Sequence, residues 1–262
     1  MSFHKIPLVL DKSFIRGSNA TRLNTLTKEY DFYVPSAFYF ELFNNKPKDR
    51  SATISGFEEF YRIDISSSLK KETESIRPLS IERSKVKTFN HIVRDQDWMV
   101  GSNELNSLKK YQKYIVEPMV DLFFRLMNEK EALGFTSDEL ASISGSKEDF
   151  IALCSQLIEK DRIRLIASMA SIKYASLINP SWLKFRQIQA WALQVLILKR
   201  LYPDQKQALG RERMKHEILD LEYLILGLHL GALATKETSQ KKPLLSMAWK
   251  FKFLSNKGLL IT

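Results

Sequence analysis

Residues 6–43, IPLVLDKSFIRGSNATRLNTLTKEYDFYVPSAFYFELF, change their apolar period three times. Ile6-Pro-Leu-Val-Leu10 is an unbroken apolar run with the length of a buried strand. Asp11-Lys-Ser-Phe14 leads out of it into a loop around Gly17. Residues 20–29 take helical spacing through Ala20, Leu23, Leu26 and Thr27, with Ser18 or Asn19 placed to cap them. Phe32-Tyr-Val34 reads as a second strand, stopped by Pro35, and Ser36 caps a third segment, SAFYFELFNN, of helical period. Strand, helix, strand, helix in this order predicts a parallel sheet.

The far end of the chain repeats the pattern. Residues 205–230 read as one helix, more apolar toward its end, with Gly231 as its C-cap. Ala232 to Thr235 is a short strand, Pro243 opens a further helix through LLSMAWKFKFL, Gly258 breaks it, and Leu259 to Thr262 is a last strand. Between the ends, residues 103–133 and 147–201 are rich in helix formers, and Pro118 predicts a kink or a break in the first of these. Residues 50–98 are Ser-rich, mixed in charge and without a readable period. The expectation is a single α/β domain. A small parallel sheet flanked by helices draws its core from about residues 1–50 and 180–262, and residues 60–175 form a large, mostly helical insertion.

The 262 residues, 44% of them apolar, suffice for one large core. Lys and Arg number 40 against 30 Asp and Glu, a net charge of +10 that favours polyanionic partners, nucleic acid above all, although a basic surface also serves solubility alone. Cys154 is the only cysteine, which excludes an intrachain disulfide and a cysteine metal cluster and fits a reducing compartment. Within IALCSQLI it reads as a buried spacer. The first apolar run is too short for a secretory signal. The longest, Tyr223 to Ala234, falls short of the roughly 20 residues that span a bilayer. A cytoplasmic protein with no membrane partner is the expectation.

Acidic residues stand where a sheet would expose them. Asp11 directly follows the first strand, a place equally natural for a turn Asp. Glu41 lies among Phe40, Leu42 and Phe43, where burying an acid is costly unless it is paired or binds metal; the outward face of a short helix is the other reading. Glu217 and Asp220 share one face of the helix HEILDLEYLILGLHLG, with Gly227 and Gly231 close to the same line, and a solvated helix edge accounts for them as simply. Glu222 falls on the opposite side and is assigned to solvent. Glu237 follows the strand ALAT with Thr235 two residues before it, and is otherwise an ordinary loop acid. Hard cations such as Mg²⁺ or Mn²⁺ take oxygen ligands of this kind at the carboxyl ends of parallel strands.

The order strand-Asp, helix-Glu, long gap, helix-Asp, strand-Thr-x-acid resembles the PIN-like nuclease superfamily. It does so through Val9-Leu-Asp-Lys-Ser-Phe14, Val34-Pro-Ser-Ala-Phe-Tyr-Phe-Glu-Leu42 and Asp220 to Glu237. The resemblance covers roughly the first 45 and last 60 residues. It implies that Asp11, Glu41, Asp220 and Glu237 are catalytic, with Mg²⁺ or Mn²⁺ on Asp11, Asp220 and Glu237 and with Glu217 as an auxiliary ligand. It also implies hydrolysis of RNA or another single-stranded nucleic acid, and the bacterial toxin or antiviral-defence ribonucleases among similar proteins carry with them an inhibitory or activating protein partner. Two features depart from the pattern: the long helical middle, and Glu where an Asp is usual at 237.

Among the basic clusters, Lys46/Lys48/Arg50, Arg83/Lys85/Lys87, Lys109/Lys110/Lys113, Lys199/Arg200 and Lys241/Lys242 read as solvated faces. Arg211, Arg213 and Lys215 precede the acidic helix, and Lys12 and Lys236 adjoin proposed ligands, so these are the candidates for neutralising phosphates. His4, His91, His216 and His229 lack metal-ligand spacing; His216 adjoins Glu217, where it could serve near a phosphate, but reads more simply as a surface residue, and His229 reads as a core residue. Tyr39 and Tyr223 read as core rather than as base-stacking rings. Two rival readings stand beside the nuclease: a degenerate PIN-like module that binds RNA or protein without cutting, and a helical interaction protein whose acids are scattered over its surface.

Overall fold

A computed structural model describes residues 5–44, 60–78, 106, 109–128, 132–203 and 210–262. His4, His91 and the clusters Lys46/Lys48/Arg50 and Arg83/Lys85/Lys87 lie outside the described residues. The apolar runs at the two ends of the chain form strands β1 (Ile6–Leu10), β2 (Tyr30–Pro35), β4 (Ala232–Ala234) and β5 (Leu259–Ile261), joined by β3 (Tyr61–Ile63). All pair in parallel in the order β3-β2-β1-β4-β5. The strand order therefore reverses between β1 and β4, where Leu10 stands opposite Ala234. In open α/β sheets such a reversal opens a crevice at the carboxyl ends of the two strands.

β3 lies inside the stretch 60–175 that the sequence leads one to expect as mostly helical. Three residues are too few to show a period, and the strand is secured across the sheet instead: Tyr61 pairs with Tyr33, and their rings stack at 5.1 Å. Two smaller corrections have the same origin. Residues expected to form a loop after Asp11 make a short helix, α1 (Lys12–Gly17), because Phe14 and Ile15 are drawn into the core. The segment after Pro243 is a 3₁₀ turn (Pro243–Leu245), and its helix begins only after Ser246, whose hydroxyl accepts from Trp249 N.

The remaining helices are α2 (Ala20–Leu26), capped by Asn19, α3 (Ser36–Asn44), α4 (Ile65–Ser75), α5 (Glu117–Asn128), α6 (Ser137–Ile143), α7 (Lys147–Leu157), α8 (Lys160–Met169), α9 (Leu183–Leu201), α10 (Arg211–Leu230) and α11 (Met247–Leu254). A π-helical turn at Gln112–Val116 runs directly into α5, where Pro118 withholds the N–H that a regular turn needs. Cys154 is buried on α7, and burial pushes its thiol up to about 12, so it is a spacer and not a nucleophile. Among the described residues no helix is long and apolar enough to cross a membrane.

α10 is the axis of the molecule. It lies against β1, β2 and β4 on one side and against α3, α5, α9 and α11 on others, and from Ile218 to Leu228 almost every residue is buried. A helix enclosed this way has no solvent face, so its polar residues must find partners inside the protein. Gly231 ends it in the left-handed region (φ 87°), with its N–H bonded to Gly227 O at 2.8 Å, and turns the chain directly into β4. A Cβ at Gly231 would meet nothing within 4 Å, so only the backbone conformation opposes a side chain there. Gly231→Ala is therefore expected to lower stability by about 1 kcal/mol and Gly231→Asn by less, since Asn tolerates this region. Chemical denaturation of the three proteins checks the order, and equal stability of Gly and Ala would contradict it.

Candidate active site

Asp11 closes β1 and its N–H bonds Ala234 O at 2.9 Å, which places it beside Thr235 at the reversal of strand order. It occupies the N-cap position of α1 but makes no side-chain cap bond. Its Oδ2 accepts instead from the Ser13 hydroxyl and from Thr235 Oγ1, the latter at 2.6 Å. A turn Asp would spend its carboxylate on backbone N–H groups, so this one is held for another use. Ser13 Oγ in turn accepts from Lys236 N and Thr235 Oγ1 from Glu237 N, both at 3.0 Å. The two hydroxyls tie the loop after β1 to the loop after β4 and carry Glu237 alongside Asp11. Thr235 Oγ1 is engaged in this tie.

α3 and α10 supply the other acids. Glu41 accepts from Lys12 Nζ at 2.9 Å on one oxygen and from Tyr223 OH at 2.8 Å on the other, and only 9% of its side chain is exposed. Tyr223 is itself fully buried; burial and the charges of Glu41 and Asp11 push its hydroxyl well above the ordinary range, so it remains a donor. It lies three residues after Asp220, on the same side of α10. Asp220 is half-buried. Burial holds its carboxyl well above the usual carboxylate range, and the charges of Glu237, Asp11 and Glu41 add to the rise, against the pull of Lys250. Glu237 is raised as well, first by burial and then by Asp11 and Glu217, while Lys250 and the Met247 N–H that donates to its carboxylate oppose the rise. Glu217 accepts from Gln194 Nε2 at 2.9 Å.

From two strand ends and two helices, the charges of Glu237, Asp11 and Glu41 thus reach Asp220, and those of Asp11 and Glu217 reach Glu237. The donor chemistry suits a hard divalent cation: carboxylate oxygens in excess of the nearby cations, Lys12 and Lys250. Yet among the described residues no group of three or more carboxylate, histidine or cysteine side chains stands ready-made to hold a metal ion. Glu41 is occupied by Lys12.

The basic candidates divide. Lys12 belongs to the site through Glu41, and Lys236 is exposed next to it with its ammonium on Gly17 O. Arg211 is engaged by Glu117 and Asp121 at 2.8 and 2.7 Å, and Lys215 by Glu117 and Glu212 at 2.9 and 2.8 Å. These ion pairs engage the two candidates with α5 and with their own helix. Arg213 is exposed near the Tyr202 ring. His216 is exposed.

Glu222 overturns its assignment to solvent. It is 9% exposed, and its carboxylate accepts from Ala37 N at 3.0 Å and from Tyr111 OH at 2.6 Å. The helical wheel placed it opposite Asp220 correctly, but α10 is covered on that side too, by the start of α3 and by Tyr111. Burial pushes Glu222 up to about 7. Lys250, on α11, was also missed; its signal was the one used for Glu41, a charge set between Trp249 and Phe251.

Comparison of the chain with protein-family models, with curated proteins and with solved structures finds no match in any of the three.

The raised carboxyls make a prediction about pH. Asp220 and Glu237 hold protons more tightly folded than unfolded, so their contribution to stability is complete at acid pH and is lost as pH rises from about 4 through their folded values. Glu222 acts in the same sense up to about 7. Metal-free Asp220→Asn should melt no lower than wild type at neutral pH and fall less steeply between acid and neutral pH. Thermal melts across that range in chelator check this; a variant clearly less stable than wild type at neutral pH would mean that Asp220 is a structural acid.

Proposed function

We propose that the chain is a metal-dependent endonuclease that hydrolyses phosphodiester bonds in RNA or single-stranded nucleic acid. One observation carries the reading: at the crevice where the strand order reverses, the charges of Glu237, Asp11 and Glu41 act on Asp220 and add to the rise that burial gives its carboxyl. The same molecule shows how it treats acids that only support the fold. Glu72 is fully buried, and its carboxylate accepts from Leu183 N and Lys184 N at 2.9 and 2.7 Å, at the start of α9. Glu222 is likewise set against the first turn of α3. The acids of the crevice are set against each other, an arrangement that costs stability unless a cation comes to it.

Asp11, Asp220 and Glu237 would hold Mg²⁺ or Mn²⁺, with Glu217 as an auxiliary ligand. The ion supplies charge stabilisation at the phosphate and a bound water of lowered pKa. Ser13 and Thr235 fix Asp11 in place by their hydroxyls, and Tyr223 fixes Glu41. Glu41, released by Lys12, orients the attacking water or accepts its proton. Lys12 and Lys236 then face the backbone phosphates, and Arg213 extends the basic surface along α10. The preference for RNA, the cytoplasmic setting and a role as a bacterial toxin or antiviral-defence effector rest on the resemblance to PIN-like domains. A non-cutting module for RNA or protein is the second reading, favoured by the absence among the described residues of a preassembled metal set.

The test is cleavage of single-stranded RNA and DNA with Mg²⁺ or Mn²⁺ by wild type, Asp11→Asn and Asp220→Asn. The wild type is expected to cut and each variant to lose more than about 100-fold of the rate, since even outer partners of metal ligands cost 10- to 100-fold. Cleavage unchanged in both variants would remove these residues from catalysis. A wild type inert with every metal would hand the site to the binding-module reading.

A further inference from the structure

The first turns of α10 carry three cations with different partners. Arg211 and Lys215, one turn apart, both pair with Glu117 on α5. Arg213 stands between them in sequence and on the other side of the helix, where its guanidinium carbon lies 6.0 Å from the centre of the Tyr202 ring. Lys242 reaches the same ring from the segment after β4. Its Nζ lies 5.2 Å from the ring centre and donates to the Tyr202 hydroxyl at 3.0 Å. Arg213 and Lys242 are exposed, and among the described residues neither makes an ion pair. The backbone on both sides is held. Tyr202 ends α9 with its N–H on Leu198 O at 2.9 Å, and Lys242 gives its N–H to Ser239 Oγ at 3.2 Å and takes Leu245 N on its carbonyl at 2.9 Å. Two cations gathered at one tyrosine, with no carboxylate paired to either, make a place for an anion.

The place identifies the anion. Arg213, Glu217 and Asp220 stand at i, i+4 and i+7 on one line of α10. The line sinks from exposed Arg213 to half-buried Glu217 and Asp220, and Arg213 is about 10 Å from Asp220 along the helix axis. Glu237 and Lys242 both lie between β4 and the turn Pro243–Leu245, which packs on α9. The tyrosine cluster is therefore next along α10 from the crevice. We propose that Tyr202, Arg213 and Lys242 form a phosphate-holding subsite that grips the backbone of a single-stranded nucleic acid beside the crevice. This rests on the reading of the crevice as a nucleic-acid site. Arg213 and Lys242 bring charge to a phosphate. The Tyr202 hydroxyl accepts from Lys242 and has its own hydrogen to give to a phosphate oxygen. Contacts of this kind position a strand without reading its sequence. Nearness to the crevice favours a strand that continues from there over an anionic membrane or an acidic protein.

The test is fluorescence anisotropy of short labelled oligo(U), oligo(A) and oligo(dT), titrated with the full chain in chelator over a range of salt, so that binding is read without cleavage. Arg213→Gln and Lys242→Gln are each expected to weaken binding about tenfold, equally for all three probes, and to lower the slope of log affinity against log salt by about 0.7. Tyr202→Phe keeps the ring and removes the hydroxyl; it is expected to weaken binding about threefold with the slope unchanged. Lys160→Gln, at an exposed lysine on α8, is the control and is expected to match wild type. Cluster variants that match Lys160→Gln in affinity and slope would overturn the subsite. So would cluster-dependent binding of phosphatidylserine vesicles in preference to the oligonucleotides. Neither result bears on cleavage by the wild type, which decides the nuclease reading separately. A wild type that binds none of the three probes would overturn the subsite, and one that also cuts nothing would bring down the nuclease reading with it.

Discussion

Repulsion among carboxylates is the constraint that the surrounding structure is arranged to bear. Asp11, Glu41, Asp220 and Glu237 stand at the reversal of strand order, and three of the four are restrained by a group that cannot neutralise all of them. Hydroxyls of Ser13 and Thr235 hold Asp11, Tyr223 and Lys12 hold Glu41, and the Met247 N–H holds Glu237. The parallel sheet makes the meeting unavoidable, since β1 and β4 are neighbours and both deliver their last residues to the same edge. α10 completes it by running through the middle of the protein with Asp220 facing that edge and its apolar residues filling the space between the sheet and α9.

The same molecule contains acids placed for the opposite purpose. Glu72 and Glu222 are as buried as any, but each is aimed at the N–H groups of a helix start, where a negative charge stabilises. That contrast separates a site from a scaffold without reference to any other protein. An acid buried for the fold is given the N–H groups of a helix start, whereas Asp11 at the crevice is given two hydroxyls and Glu41 a hydroxyl and the Lys12 ammonium.

Much of this was legible in the sequence, and the failures have physical reasons. The apolar runs at Ile6–Leu10 and Phe32–Val34 announced the parallel strands because a strand buried on both faces has no alternation to hide. The acids at strand ends were visible because a charge directly after such a run has only one place to go. Glu222 was misread because the helical wheel supplies a second side but cannot say whether that side meets water, and here Tyr111 and α3 cover it. β3 escaped because three residues carry no period, and its place in the sheet is decided by pairing with β2 and by the ring of Tyr33. Arg211 and Lys215 looked free because their partners Glu117 and Asp121 are about 90 residues away in sequence, a separation that pattern reading does not bridge.

The central claim is that the crowded carboxylates exist to receive a divalent cation. Crystals of the metal-free protein soaked in Mn²⁺, measured for anomalous scattering, test it most directly. The account predicts a strong peak at roughly 2.1 Å from oxygens of Asp11, Asp220 and Glu237. A soaked crystal with no peak between these side chains, or with Mn²⁺ bound only elsewhere, would contradict it.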